Sequence, residues 1–143
     1  MIGKVAVGTD GSATAGEAFS AALELAERYG AGLLVLSAFN AGSGRTAAPR
    51  LTAPAHPEWA SNAAEQVERI LAAAEEMAAG RGIECSSAMA EGDPGEVLVA
   101  LAAKHGADVL VVGSKGMDRR VLGSVPNTVT HKATCSVMVV KTA

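Results

Sequence analysis

Leu33-Leu34-Val35-Leu36-Ser37-Ala38 lacks the polar alternation of a strand with one wet face. Successive side chains of a β-strand point to opposite faces, so a strand that is apolar throughout must be covered on both. Asp108-Val109-Leu110-Val111-Val112 has the same character. Two such strands require a sheet with helices packed above and below it, and the rest of the chain supplies those helices.

Lys4-Val5-Ala6-Val7-Gly8 reads as a first short strand, closing on Thr9-Asp10-Gly11-Ser12. A helix follows from about Ala13 to Tyr29, with Asp10 or Ser12 able to cap it and Gly30 as its stop signal. Residues 40–57 hold Gly42, Gly44, Pro49, Pro54 and Pro57 with no apolar period, which predicts a long flexible surface loop. From about Glu58 to Ala79 the pattern is helical, with Val67, Ile70, Leu71, Ala74 and Met77 as the core-facing stripe. Ile83 to Ala90 predicts a more polar third strand at a sheet edge. Gly92-Asp93-Pro94-Gly95-Glu96 starts the next helix, which runs to His105. Here Asp93 is the N-cap, Pro94 takes the first helical position and Glu96 can close a capping box. A strand over Asp108–Val112, a short helix near Val125–Lys132 and a last strand over Ser136–Lys141 complete the chain. Strands alternating with helices, without an internal repeat, predict one α/β domain over residues 1–143: a five-stranded parallel sheet in a three-layer αβα arrangement.

Composition narrows the function. The chain of 143 residues suits one domain and carries a net charge of −3. Residues 113–132 hold Lys115, Arg119, Arg120 and Lys132 against Asp118, a net +3, so the remainder sums to −6. A local basic patch in an acidic chain suits a small anion better than a nucleic-acid backbone, which asks for a broad basic stripe. Phe19, Tyr29, Phe39 and Trp59 are too scattered to form a base-stacking platform. Cys85 and Cys135 lack metal-type spacing and read as small thiols in a reducing compartment. No segment has the apolar length of a membrane span, so the expectation is a cytoplasmic protein without membrane or nucleic-acid partners.

The chemistry concentrates after the second buried run. Gly113-Ser114-Lys115-Gly116, then Gly123-Ser124, place glycines between a strand and a helix start. Backbone amides there approach an anion unobstructed, and the helix start adds free N–H donors and partial positive charge. Other phosphate and nucleophile patterns are missing: there is no G-x-x-x-x-G-K-[ST], no G-x-G-x-x-G after the first strand and no G-x-S-x-G. His56, His105 and His131 form no H-E-x-x-H or comparable cluster, so neither a metal site nor a catalytic residue is assigned. In a parallel sheet, ligands sit beyond the carboxyl ends of the strands where the strand order reverses. If the first and fourth strands are neighbours there, Thr9-Asp10 and Gly113–Gly116 face one crevice.

Several motifs in order resemble the universal stress proteins. They are V-A-V-G-T-D-G-S (Val5–Ser12), G-D-P (Gly92–Pro94), A-D-V-L-V-V-G-S-K-G (Ala107–Gly116), R-V-L-G-S-V-P-N-T-V (Arg120–Val129) and C-S-V-M-V-V-K (Cys135–Lys141). The resemblance implies a strand order of 3-2-1-4-5, as in adenine-nucleotide α-hydrolase-like folds, and a role in stress response. In the nucleotide-binding branch it also implies ATP or a related adenine nucleotide held by G-x2-G-x9-G-[ST], with magnesium as the companion of ATP. By position, Asp10 would contact the ribose or adenine side, and Thr9 and Ala38 would give backbone contacts around the base. Gly113 and Gly116 would hold ribose and phosphate, and Gly123, Ser124 and Val125 would bind phosphates. Lys115, Arg119 and Arg120 can pair with phosphate oxygens, a solvated or dimer-facing role being the alternative for the two arginines. The present chain has six residues between Gly116 and Gly123, Met117–Leu122, where that motif has nine. The shorter connection keeps AMP and cyclic AMP open as ligands beside ATP.

Three readings follow: a nucleotide-binding regulatory protein, a slow ATPase, or a dimeric scaffold of the same fold. Hydrolysis needs a positioned base and a metal ligand, and Asp10 alone near both loops supports at most weak turnover. Under the family order, Val137-Met138-Val139-Val140 lies at a sheet edge, which predicts a homodimer through that strand.

Overall fold

The computed structural model describes residues 2–9, 13–39, 57–114 and 123–142. Its elements in chain order are β1 (Lys4–Gly8), α1 (Ala13–Tyr29), β2 (Gly32–Phe39), α2 (Pro57–Gly80), β3 (Cys85–Glu91), α3 (Pro94–Lys104), β4 (Val109–Gly113), α4 (Ser124–Lys132) and β5 (Ser136–Val140). The strands form one parallel sheet in the order β3-β2-β1-β4-β5. The central strand β1 pairs Val5 with Leu33 on one side and with Val109 on the other. Each predicted strand and helix is present, with ends moved by a residue or two.

Alternation along the strands divides the core in two. Val5, Val7, Leu33, Val35, Val109 and Val111 face α1 and α2, where Phe19, Leu23, Val67 and Leu71 meet them. Ala6, Leu34, Leu36, Leu110 and Val112 face α3 and α4, packing on Leu98, Ala102 and Val129. Val5, Ala6 and Val7 are wholly buried, which is why β1 carries no polar side chain between its ends. Each fully buried leucine of the second layer removes enough apolar surface from water to contribute about 1.5–3 kcal/mol.

The predicted punctuation holds at most element ends. Gly30 takes φ +63°, the left-handed turn that stops α1, and the Ala31 N–H then reaches back to the Ala26 carbonyl at 2.8 Å. Asp93 caps α3, its Oδ2 accepting from the Glu96 N–H at 3.1 Å, with Pro94 in the first turn.

Two local expectations are corrected. The Glu96 carboxylate does not close a capping box; it accepts from Lys132 Nζ and so ties α3 to α4. Met77 is 57% exposed, and fully buried Ala78 takes its place on the core face of α2. Residues 67, 71, 74 and 78 keep within a narrow arc of the helix, while 77 lies near its flank. The expected loop at 40–57 falls outside the described residues except for Pro57, where α2 begins.

At the amino ends of the strands, Asp108 Oδ2 accepts from the Gly3 and Lys4 N–H groups at 2.9 and 3.0 Å. Lys4 Nζ donates to the His105 carbonyl at 2.9 Å. These bonds join the start of β1 to the turn before β4. At the opposite end, buried Ser114 extends the β4–β5 pairing: its N–H donates to the Val140 carbonyl and its Oγ accepts from the Thr142 N–H, both at 2.9 Å.

Candidate functional site

The carboxyl ends of β1, β2 and β4 open on one cleft of about 480 Å³. Gly8 and Thr9 enter it from β1, Ser37 and Ala38 from β2, and Val112 and Gly113 from β4. Pro94 and Leu98 of α3 close one side, with Gly123, Ser124, Val125 and Pro126 at the start of α4 and Ala15 of α1 completing the wall. Because β1 pairs with both β2 and β4, the strand order reverses beside β1, and the cleft lies at that switch point.

Short hydrogen bonds hold the rim. The Thr9 N–H donates to the Leu36 carbonyl at 2.9 Å, and Ser37 Oγ donates to the Thr9 carbonyl at 2.7 Å. Ser37 is 2% exposed, so its hydroxyl works as a fixed brace between two strand ends. Gly8 gives Leu98 room, since a Cβ on Gly8 would lie 2.6 Å from Leu98 Cδ1. Gly95 lets α4 approach α3, because a Cβ there would lie 2.7 Å from Thr128 Cβ.

The two helix starts beside the cleft differ in chemistry. The start of α3 is satisfied by its own Asp93 carboxylate. At α4 the N-cap is Gly123, with φ −61° and ψ 170°, and no side chain caps the helix. The Asn127 N–H donates to the Gly123 carbonyl at 3.0 Å, the first turn of a helix whose leading amides lack a side-chain acceptor among the described residues. Those amides, with the helix dipole behind them, favour an anion at the mouth of the cleft.

Among the described residues the lining has no charged side chain. The pKa shifts that stand out lie elsewhere. The Asp108 carboxyl is lowered by the Gly3 and Lys4 N–H bonds. The Lys132 ammonium is raised by Glu96. Burial, with Glu75 adding to it, pushes the Cys85 thiol up to about 11, and burial raises Cys135 as well. Both cysteines are unpaired, and no group of three or more His, Cys, Asp or Glu gathers to hold a metal among the described residues.

Of the residues singled out from sequence, Thr9, Ala38, Gly113, Gly123, Ser124 and Val125 come together in the cleft. Asp10, Lys115, Gly116, Arg119 and Arg120 lie outside the described residues, as does His56. His131 Nδ1 lies 2.9 Å from the Asn127 carbonyl within α4, away from the lining. Sequence reading missed Gly8, Ala15, Ser37, Pro94, Leu98, Val112 and Pro126 as lining residues. The G-D-P turn and the proline after Gly123-Ser124-Val125 were visible signals for two of them.

Residues 1–141 match the model of the Universal stress protein family. The chain belongs to the universal stress protein family. Universal stress protein YxiE of Bacillus subtilis is 30% identical over 99% of this chain and the whole of that protein. Universal stress protein MJ0531 of Methanocaldococcus jannaschii is 30% identical, covering 96% of this chain and 81% of that one. A universal stress protein crystallised in complex with cAMP superposes with a TM-score of 0.75 at 32% identity, over 99% of each chain. Universal stress protein UspA from Lactobacillus plantarum shares the fold with a TM-score of 0.81 at 24% identity, over 97% of each chain. The universal stress protein fold thus accounts for the strand order. No helix among the described residues is long and apolar enough to cross a membrane.

Proposed function

We propose that this universal stress protein binds an adenine nucleotide in the switch-point cleft and acts as a regulatory stress-response protein whose ligand state alters its contacts. The observation that carries this reading is the start of α4, uncapped by any side chain among the described residues, whose leading amides border a cleft formed by three strand ends. The base and ribose would lie over Thr9, Ala38 and Gly113, between walls of small and apolar side chains. The phosphate would meet the Ser124 and Val125 amides and the Ser124 hydroxyl. Asp10 is assigned to the ribose side, and Lys115, Gly116, Arg119 and Arg120 to the phosphates. The cAMP complex of the 32% identical relative supports an adenine nucleotide, with ATP, AMP and cAMP as the ligands to compare. The described lining offers no carboxylate or imidazole for magnesium, so no step is assigned to a metal.

A thermal-shift series with ATP, ADP, AMP and cAMP tests the reading. At a hundredfold excess over Kd, a ligand stabilises the folded state by about 2.7 kcal/mol. Absence of a shift with all four would end the nucleotide assignment. Ser124→Glu places a carboxylate where the phosphate would sit and should abolish the shift while the unliganded protein keeps its melting temperature.

The reading extends to assembly. β5 is an edge strand with Met138 40% exposed, and a two-fold related copy along that edge gives the proposed homodimer. Light scattering at micromolar concentration should return twice the 14.3 kDa chain mass, and a monomer mass would refute it.

A further inference from the structure

We propose that the outer edge of β3 takes up an extended segment of a partner protein, centred on an arginine or lysine, as an added strand of the sheet. In the order β3-β2-β1-β4-β5 only one side of β3 is paired. The Glu84 carbonyl accepts from the Leu33 N–H at 2.8 Å, and the Gly92 N–H donates to the Phe39 carbonyl at 2.9 Å. The even-numbered positions therefore turn their backbone groups toward β2. Alternation turns the N–H and carbonyl groups of Cys85, Ser87 and Met89 outward, where no described strand meets them. Such a row is a template for another chain.

What lies beside that row selects the chain. A groove of about 320 Å³ runs between Ser87 and Met89 of β3 and Glu68, Leu71, Ala72 and Glu75 of α2. These four helix positions follow the spacing i, i+3, i+4, i+7, so Leu71 and Ala72 lie between the two carboxylates on one side of the helix. An incoming strand would send alternate side chains over this groove. The stem of an arginine or lysine would rest on Leu71 and Ala72 while its head meets Glu68 and Glu75. Neither glutamate has an ion-pair partner among the described residues; Arg69 lies outside the lining and Arg81 is paired with Glu27. Glu84 and Glu91 add negative charge at the two ends of β3. A two-fold related copy docked here would set these carboxylates near their equivalents, whereas a basic segment complements them. The edge thus favours a basic partner over a second copy.

Fluorescence anisotropy with the labelled peptide Thr-Val-Arg-Val-Thr, blocked at both ends, and with its glutamate-centred counterpart tests this. The arginine peptide should bind at least about tenfold more tightly than the glutamate peptide and lose affinity as salt is raised. Glu68→Gln combined with Glu75→Gln should weaken the arginine peptide about fivefold. Ser87→Pro removes one outward N–H at an edge position, where proline is tolerated, and should weaken it at least as much. Should that variant fail to fold, two arginine peptides N-methylated at alternate amides read the same contact: the pattern that blocks the edge-facing set should lose binding, and the other should keep it. No binding of the arginine peptide at millimolar concentration, equal affinity for the two peptides, or indifference to both backbone changes overturns the proposal. A dimer that Ser87→Pro splits in light scattering would give the edge to a second copy and overturn it as well.

Discussion

Replacing Gly8 with alanine should destabilise the fold through a single contact, and that contact can be isolated. A Cβ at this position would lie 2.6 Å from Leu98 Cδ1 and 3.1 Å from Cδ2, where ordinary contact begins at 3.4 Å. Leu98 is 5% exposed and packed in the layer shared with Leu34, Leu36 and Leu110, so it has little room to turn away. Forcing an extra carbon into such packing costs about 1–3 kcal/mol. The lower freedom of alanine in the unfolded chain returns up to about 1 kcal/mol, leaving a net loss of about 1–2 kcal/mol. Leu98→Ala alone should cost about 2–5 kcal/mol through the cavity it leaves. In the double variant the colliding carbons are gone, so its loss should fall short of the sum of the singles by at least about 1 kcal/mol. Urea unfolding of all four proteins, with slopes checked for constancy, gives the cycle. Gly16→Ala supplies the opposite sign: it is exposed in α1 with nothing within 4 Å of the new carbon, and should gain up to about 1 kcal/mol. Additivity within about 0.5 kcal/mol would refute the steric account of Gly8 and Leu98.

Two further outcomes follow from the ends of the sheet. The Asp108 carboxyl is lowered first by its bonds from Gly3 and Lys4, so its stabilising effect is full above the unfolded aspartate pKa and lost as pH falls through the lower folded value. Melting curves of the native protein and Asp108→Asn should differ near neutrality and converge in acid; a constant gap at all pH values would contradict this. Ser114→Ala strands the buried Thr142 N–H and should cost about 1–3 kcal/mol in urea unfolding, whereas Thr142→Ala keeps that bond and should cost less. Equal losses would show that packing, not the amide, is what matters there.

The parts of the fold that could be read from sequence are those set by local chemistry. Gly30 and the Asp93-Pro94 pair mark helix ends because backbone angle and capping need only neighbouring residues. The apolar runs at 33–38 and 108–112, buried over 33–37 and 109–112, declared a parallel sheet because their composition leaves no face for water. Glu96 could not be placed because its choice between a nearby amide and Lys132 depends on where α4 lies. Met77 and Ala78 exchanged roles because both fit the helical period, and only the angle at which α2 meets the sheet separates them. In the cleft, the glycines and the G-S helix start were legible as lining, because strand, glycine turn and helix start follow one another in the sequence. Ser37 and Leu98 were not, because a brace and a wall acquire their function from strands and helices distant in sequence.

The order β3-β2-β1-β4-β5 also has a consequence for how the chain is made. Of the five strands, the earliest in the chain occupies the middle of the sheet, and its partner on one side comes from near residue 109. The Gly3–Asp108 bond spans 105 residues, which a ribosome takes about 5–20 s to add. Once β2 has been made, Val5, Ala6 and Val7 can pair with it on one flank and keep a bare hydrogen-bonding edge on the other until β4 follows. The emerging chain therefore carries an apolar strand with one unpaired edge until β4 leaves the exit tunnel.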